Sequence, residues 1–201
     1  MKAPAPRWEW RIFDKDLSFL EKPPHFSKPD SVQKSSEIYF VSKTCGDNIK
    51  IRHNTLDIKR LLNVNEHGFE QWTPILKEVF PLSKKTIDVL WNILSVSAEM
   101  PETIPLSLNN FLNTLKKDAD IALVTVEKER QRYTINGCMA EYSRIMLNGI
   151  LYETISLEHI DDRHLFHILQ SLEWEFLPNM NYIDFLKLFL TEHDKSGEKQ
   201  L

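Results

Sequence analysis

Lys128, Arg130 and Arg132 occupy alternate positions of the run VTVEKERQRYTI. On a helix these cations would scatter around the cylinder; on a strand, where side chains alternate between faces, they line one face together. Val124, Thr125 and Val126 before them, and Tyr133, Thr134 and Ile135 after, favour the strand. Like charges on neighbouring same-face positions repel unless water solvates them or an anion holds them. Their natural chemistry is a grip on phosphoryl oxygens.

The same division of faces recurs elsewhere. In RWEWRIF, Arg7, Glu9 and Arg11 share one face and Trp8, Trp10 and Ile12 the other; Lys50 and Arg52 oppose Ile49 and Ile51; Asp57 and Lys59 oppose Leu56 and Ile58; Ser156 and Glu158 oppose Ile155 and Leu157. Two accounts fit. The charged faces are solvent faces of an antiparallel sheet, or the sheet rolls up so that they point inward around water, ions and a polyanion. Ordinary solvent faces mix Lys and Glu freely, whereas these strands favour Lys and Arg in a chain of net charge -4. In the rolled arrangement the carboxylates would hold a divalent metal that bridges phosphoryl oxygens.

Turns and helices must position these strands. Asn136-Gly137 and Asn148-Gly149 are the dipeptides a type I′ hairpin prefers, and they divide 121–160 into a three-stranded meander. A second meander is predicted over 36–62, and 22–36 reads as an irregular connection. FEQWTP is a further strand candidate that would add Glu70 to the interior. Ser83 and Ser107 are placed to cap helices with apolar stripes through Ile87, Leu90, Trp91 and Leu94, and through Leu108, Phe111, Leu112 and Leu115. EMPETIP separates the two as a loop. Asp161 or Asp162 opens a helix carrying Leu165, Ile168, Leu169 and Leu172, and a last one starts near Asn181. The expected fold is α+β: an antiparallel β-barrel built from meanders, in one domain over 1–201, with a helical insert at 83–118 and C-terminal helices over 161–193 outside it.

Several function classes recede. With 201 residues, 42% of them hydrophobic, the chain can bury one sizeable core. A pI near 6.0 argues against general nucleic-acid binding. Five glycines, none clustered, leave no phosphate-binding loop, so phosphate contacts must come from side chains. Cys45 and Cys138 match no disulfide framework or metal spacing, and His164 and His167 lack a third ligand. No apolar leader or membrane-length run is evident, and a cytoplasmic location is expected.

In order and spacing the chain resembles the CYTH superfamily, the triphosphate tunnel metalloenzymes. The resemblance runs from Trp8 to about Leu190 through EWRIF, IKIR, LDIKRL, VEKERQRY, AEYSRI, TISLEHID and NYIDFL. It implies a charged barrel tunnel that binds triphosphate compounds with Mg²⁺ or Mn²⁺. The family's Glu-x-Glu-x-Lys signature falls on Arg7, Glu9 and Arg11, so only the middle carboxylate remains. Arg52 and Lys59 match its basic residues, Lys128 and Arg130 its Lys-x-Arg pair, with Lys50 and Arg132 as further candidates. Glu141 lies in a strand that supplies an acid, without a fixed register. Glu158 matches the second member of a Glu-x-Glu pair whose first is Ser156 here. Phosphate binding is thereby expected of Arg11, Lys50, Arg52, Lys59, Lys128, Arg130 and Arg132, and metal binding and catalysis of Glu9, Glu141 and Glu158. The implied activity is hydrolysis of tripolyphosphate or a triphosphate-bearing small molecule. A non-catalytic polyphosphate or nucleotide binder, or an adenylate cyclase, are the alternatives, with a homodimer left open.

Overall fold

A computed structural model of the chain describes residues 5–20, 26, 28–97, 99 and 104–194. Its eight strands are β1 (Arg7–Asp14), β2 (Ser31–Ser42), β3 (Asn48–Arg52), β4 (Thr55–Val64), β5 (Glu70–Val79), β6 (Ile121–Ile135), β7 (Cys138–Leu147) and β8 (Ile150–His159). They close into an antiparallel barrel in the order β1-β5-β4-β3-β2-β6-β7-β8. Both Asn-Gly turns have φ near +48° and +80°, as a type I′ hairpin needs, and His53-Asn54 turns β3 into β4 with two further positive φ values. The stretch 22–36 is not all irregular: β2 begins at Ser31, and Ser31–Ser42 pairs along its full length with β6. FEQWTP opens β5, which completes the barrel between β4 and β1.

The outer wall is covered in two places. Helices α1 (Lys84–Leu94) and α2 (Leu108–Leu115), capped by Ser83 and Ser107, lay Ile87, Leu90, Trp91 and Phe111 on Phe40, Ile49, Ile51, Leu56 and Ile58. These are the apolar faces of β2, β3 and β4, so the insert packs on the wall. Residues 98 and 100–103 of the loop between them lie outside the described residues. Helix α3 (Asp162–Ser171), capped by Asp161, sets Leu165, Ile168 and Leu169 against Trp10, Ile12, Ile155 and Leu157.

Helix α4 (Tyr182–Asp194) behaves differently. Its Tyr182, Phe185, Leu186 and Phe189 pack with Tyr39, Val41, Val124, Val126, Ile145, Leu147 and Tyr152. By alternation those strand residues are inward-facing, continuing the faces of Glu37, Lys128 and Glu141. One end of the lumen is therefore filled by an apolar plug. Burial of about 2 kcal/mol per large apolar side chain drives the insertion. Residues 195–201 lie outside the described residues.

The route of entry is a gap in the wall. β1 pairs with β5 only over Arg7, Trp8 and Glu9. Beyond Glu9 the segment before α4 takes over: Arg11 N–H donates to Asn179 Oδ1 and Met180 N–H to the Arg11 carbonyl, both at 2.7 Å. Asn179 Nδ2 donates to the Gly68 carbonyl at 2.9 Å. This stitching satisfies the Arg11 backbone and delivers Tyr182 to the lumen.

Candidate functional site

The inward faces meet the expectations of the alternation. Arg11, Lys128 and Arg130 are buried, Lys50, Arg52, Lys59, Glu9, Glu141 and Glu158 are half-buried, and Arg132 is exposed toward the open end. The strand register fixes what the sequence left open for Glu141: it stands opposite Arg132 on β6 and Ser156 on β8. Ser156 in turn stands opposite Arg11, and Glu9 lies between Glu158 on β8 and Glu70 on β5.

Sequence reasoning missed a central carboxylate that makes three ion pairs, as many as Glu141. Glu37 is fully buried. It accepts from Arg130 at 2.9 Å, Lys50 at 3.0 Å and Arg52 at 3.4 Å, and also from Tyr39 Oη and Ser35 Oγ. Burial pushes its carboxyl up, yet Lys50, Lys128 and Arg130 outweigh that and hold it far below the usual range. The signal was present in SSEIYF, where Ser35, Glu37 and Tyr39 alternate. It was obscured because Tyr39 and Phe40 make both faces of β2 look apolar.

Other carboxylates are engaged too. Glu9 accepts from Arg11 Nε at 2.7 Å, and Arg11 also donates to Thr154 Oγ1 at 3.2 Å. Glu141 lies 3.0 Å from Arg130, 3.7 Å from Arg132 and 3.9 Å from Lys128, and accepts from Ser143. Burial opposes its ionisation, but Lys128, Arg11, Arg130 and Lys50 bring its carboxyl to about 2. Glu70 accepts from Trp72 and Asn181 and is raised by burial. Lys128 has its amine 4.1 Å from the Tyr182 ring centroid, and burial drives its pKa well below the lysine range.

Toward the open end, Arg132, Met139, Glu141, Ser156 and Glu158 line a cavity of about 220 Å³. A second, of about 160 Å³, is lined by Arg7, Glu9, Lys59, Trp72 and Glu158. Glu158 borders both and lies 4.0 Å from Arg7. A larger hollow of about 520 Å³ is lined by Lys34, Ser36, Glu127, Glu129 and Arg144 of the outer wall and also by Ser35 and Lys128 of this constellation, and Lys34 pairs there with Glu129.

Among the described residues no group of three acidic, histidine or cysteine side chains could by itself hold a metal ion. The donors nearest to that role are Glu9 and Glu158, opposite each other on β1 and β8. Burial and then the charge of Glu9 raise the Glu158 carboxyl, while Arg11 and Lys59 bring Glu9 below its ordinary value against burial. A like-charge pair of hard oxygen donors has the chemistry to hold one Mg²⁺ or Mn²⁺, which would need further oxygen ligands. His164 and His167 lie on α3, outside the barrel, and Cys138 is buried with its thiol pushed up to about 12.

No family model matches the chain, and no curated protein does. Solved structures do. A conserved hypothetical protein from Pyrococcus furiosus aligns with a TM-score of 0.50 at 16% identity, over 90% of this chain and 98% of that one. A candidate adenylate cyclase from Bacillus halodurans follows at 0.48 and 15%, covering 90% and 97%. A protein from Pyrococcus horikoshii aligns at 0.44 and 12%, covering 90% and 93%. At these identities the likeness concerns the fold alone. Among the described residues no helix is long and apolar enough to cross a membrane.

Proposed function

We propose that the lumen binds the phosphate chain of tripolyphosphate or a triphosphate-bearing small molecule and that the protein hydrolyses it with a divalent metal, as a CYTH-like enzyme in the cytoplasm. The observation that carries this reading is the convergence of Arg11, Lys50, Arg52, Lys59, Lys128 and Arg130 on one closed interior in a chain of net charge -4. Glu9, Glu37 and Glu141 already pair most of these cations, and phosphate oxygens would complete or replace those contacts. Arg11, Lys128 and Arg130 would hold the inner phosphates, with Lys59, Arg132 and Arg7 nearer the open end. Glu9 and Glu158 would hold Mg²⁺ or Mn²⁺, with Glu141 keeping Arg130 and Lys128 in place. When bound, the ion neutralises phosphate charge and orients the attacking water. The chain's own contribution is positioning and electrostatic stabilisation of the transferred phosphoryl group.

A second reading has its own support: Glu9, Glu37 and Glu141 are already ion-paired, and Arg7 and Ser156 stand where the family has carboxylates. The barrel would then bind polyphosphate without turning it over. Phosphate release from tripolyphosphate, ATP and thiamine triphosphate, with Mg²⁺, Mn²⁺ or EDTA, separates the two; the ATP reaction is also read for cyclic AMP. Metal-dependent release, lost in Glu158→Gln with the fold intact, is the expected result. Binding that persists in EDTA without release would establish the second reading. Neither binding nor release would overturn both.

A further inference from the structure

Tyr182 is the first residue of α4 and the point at which that helix meets the charged part of the lumen. Its ring is held from every side. It stacks on Tyr39 at 5.2 Å and meets Phe13 edge-on at 4.9 Å. The Arg11 guanidinium lies 4.8 Å from its centroid and the Lys128 amine 4.1 Å. The residue is 4% exposed, and its hydroxyl has no partner among the described residues. A buried hydroxyl without a partner is costly, and phenylalanine would make every one of these ring contacts without that cost. Tyr39, its stacked neighbour, spends its own hydroxyl on Glu37 at 3.0 Å.

The surroundings say what the Tyr182 hydroxyl can do. Burial drives its ionisation far above the usual phenol range, so it remains an O–H and a donor. The charges that act on it are Arg11, Glu141, Glu37 and Arg130. Glu37 and Glu141 are already served by cations and hydroxyls, and Arg11 and Arg130 accept nothing. An acceptor for this hydroxyl comes from outside the chain's own side chains, and the neighbouring Arg11 and Arg130 favour an anionic one.

We propose that Tyr182 is a substrate-binding residue: its hydroxyl forms the floor of the phosphate site and donates a hydrogen bond to the innermost phosphate of the bound chain. This rests on the polyphosphate-binding reading above and adds a contact that no strand supplies. The C-terminal helix thus takes part in recognition as well as in closing the barrel, and its entry beside Arg11 sets the depth of the site.

The test is Tyr182→Phe, with tripolyphosphate affinity measured by calorimetry in Mg²⁺ and in EDTA. The variant should unfold at the same temperature as the wild type or higher, because a buried unpartnered group is removed. It should bind tripolyphosphate about tenfold more weakly, the scale of one hydrogen bond to a charged group. Unchanged affinity would overturn the proposal, leaving the hydroxyl to water. As a second measurement, 3-fluorotyrosine placed at position 182 should shift its ¹⁹F resonance on saturation with tripolyphosphate; a stationary resonance would overturn it as well. Failure of the wild type itself to bind tripolyphosphate, ATP or thiamine triphosphate would remove the function reading and this contact together.

Discussion

With Lys50, Arg52 and Arg130 all drawn to Glu37, loss of that carboxylate would leave three cations facing one another in an enclosed space. Removing one partner of a buried ion pair typically costs about 3–5 kcal/mol, so Glu37→Gln should lower stability by that order in urea unfolding. Tripolyphosphate should recover more stability in the variant than in the wild type. The lumen carboxylates also set the acid response, in opposite directions. Glu141 falls from 4.5 to about 2 on folding, so its contribution is complete above about pH 4.5 and is lost as the pH drops toward 2. Glu158 is raised on folding, so its charge destabilises as the pH climbs past 4.5. Melting temperatures across this range should show a flatter acid limb for Glu141→Gln, and a higher melting temperature near neutrality for Glu158→Gln.

Among the elements, α1 and α2 are a load on the outer wall, remote from the lumen. Phe111 is fully buried among Phe40, Phe80 and Trp91. Its replacement by Ala should cost about 3–5 kcal/mol and leave tripolyphosphate affinity unchanged. A fall in affinity with the fold retained would place the insert in the binding path. The short β1–β5 seam has the opposite character, since its missing pairing is what lets Tyr182 into the lumen.

For the molecule as a whole, a chain of net charge -4 places Arg11, Lys128 and Arg130 inside the barrel, so recognition of a polyanion would depend on cations withdrawn from the bulk solvent. Screening acts strongly on exposed charges and weakly on buried ones. Tripolyphosphate affinity should therefore fall only modestly as ionic strength rises from about 0.05 to 0.5 M, the loss coming from Arg132 and Arg7 near the open end. A steep fall would mean that binding occurs on the outer surface.

The strands, their turns and the division into charged and apolar faces were legible in the chain because each is a local property: two-residue alternation, Asn-Gly dipeptides and serine caps act over a few residues. Lys128, Arg130, Arg11, Lys50, Arg52 and Lys59 could be placed on common faces for that reason. Whether those faces point inward depends on closure between β1 and β5, 61 residues apart at the Glu9–Glu70 pair, and no local pattern encodes it. Glu141 acquired a register only against Arg132 and Ser156. Glu37 became the lumen's counter-ion only when β3 and β6 brought their cations to it. Tyr182 reads in the sequence as one more aromatic on an amphipathic helix. Its place among Arg11, Lys128 and Tyr39 follows from a gap in a distant strand pair, and contacts between distant segments exist only once the chain has folded.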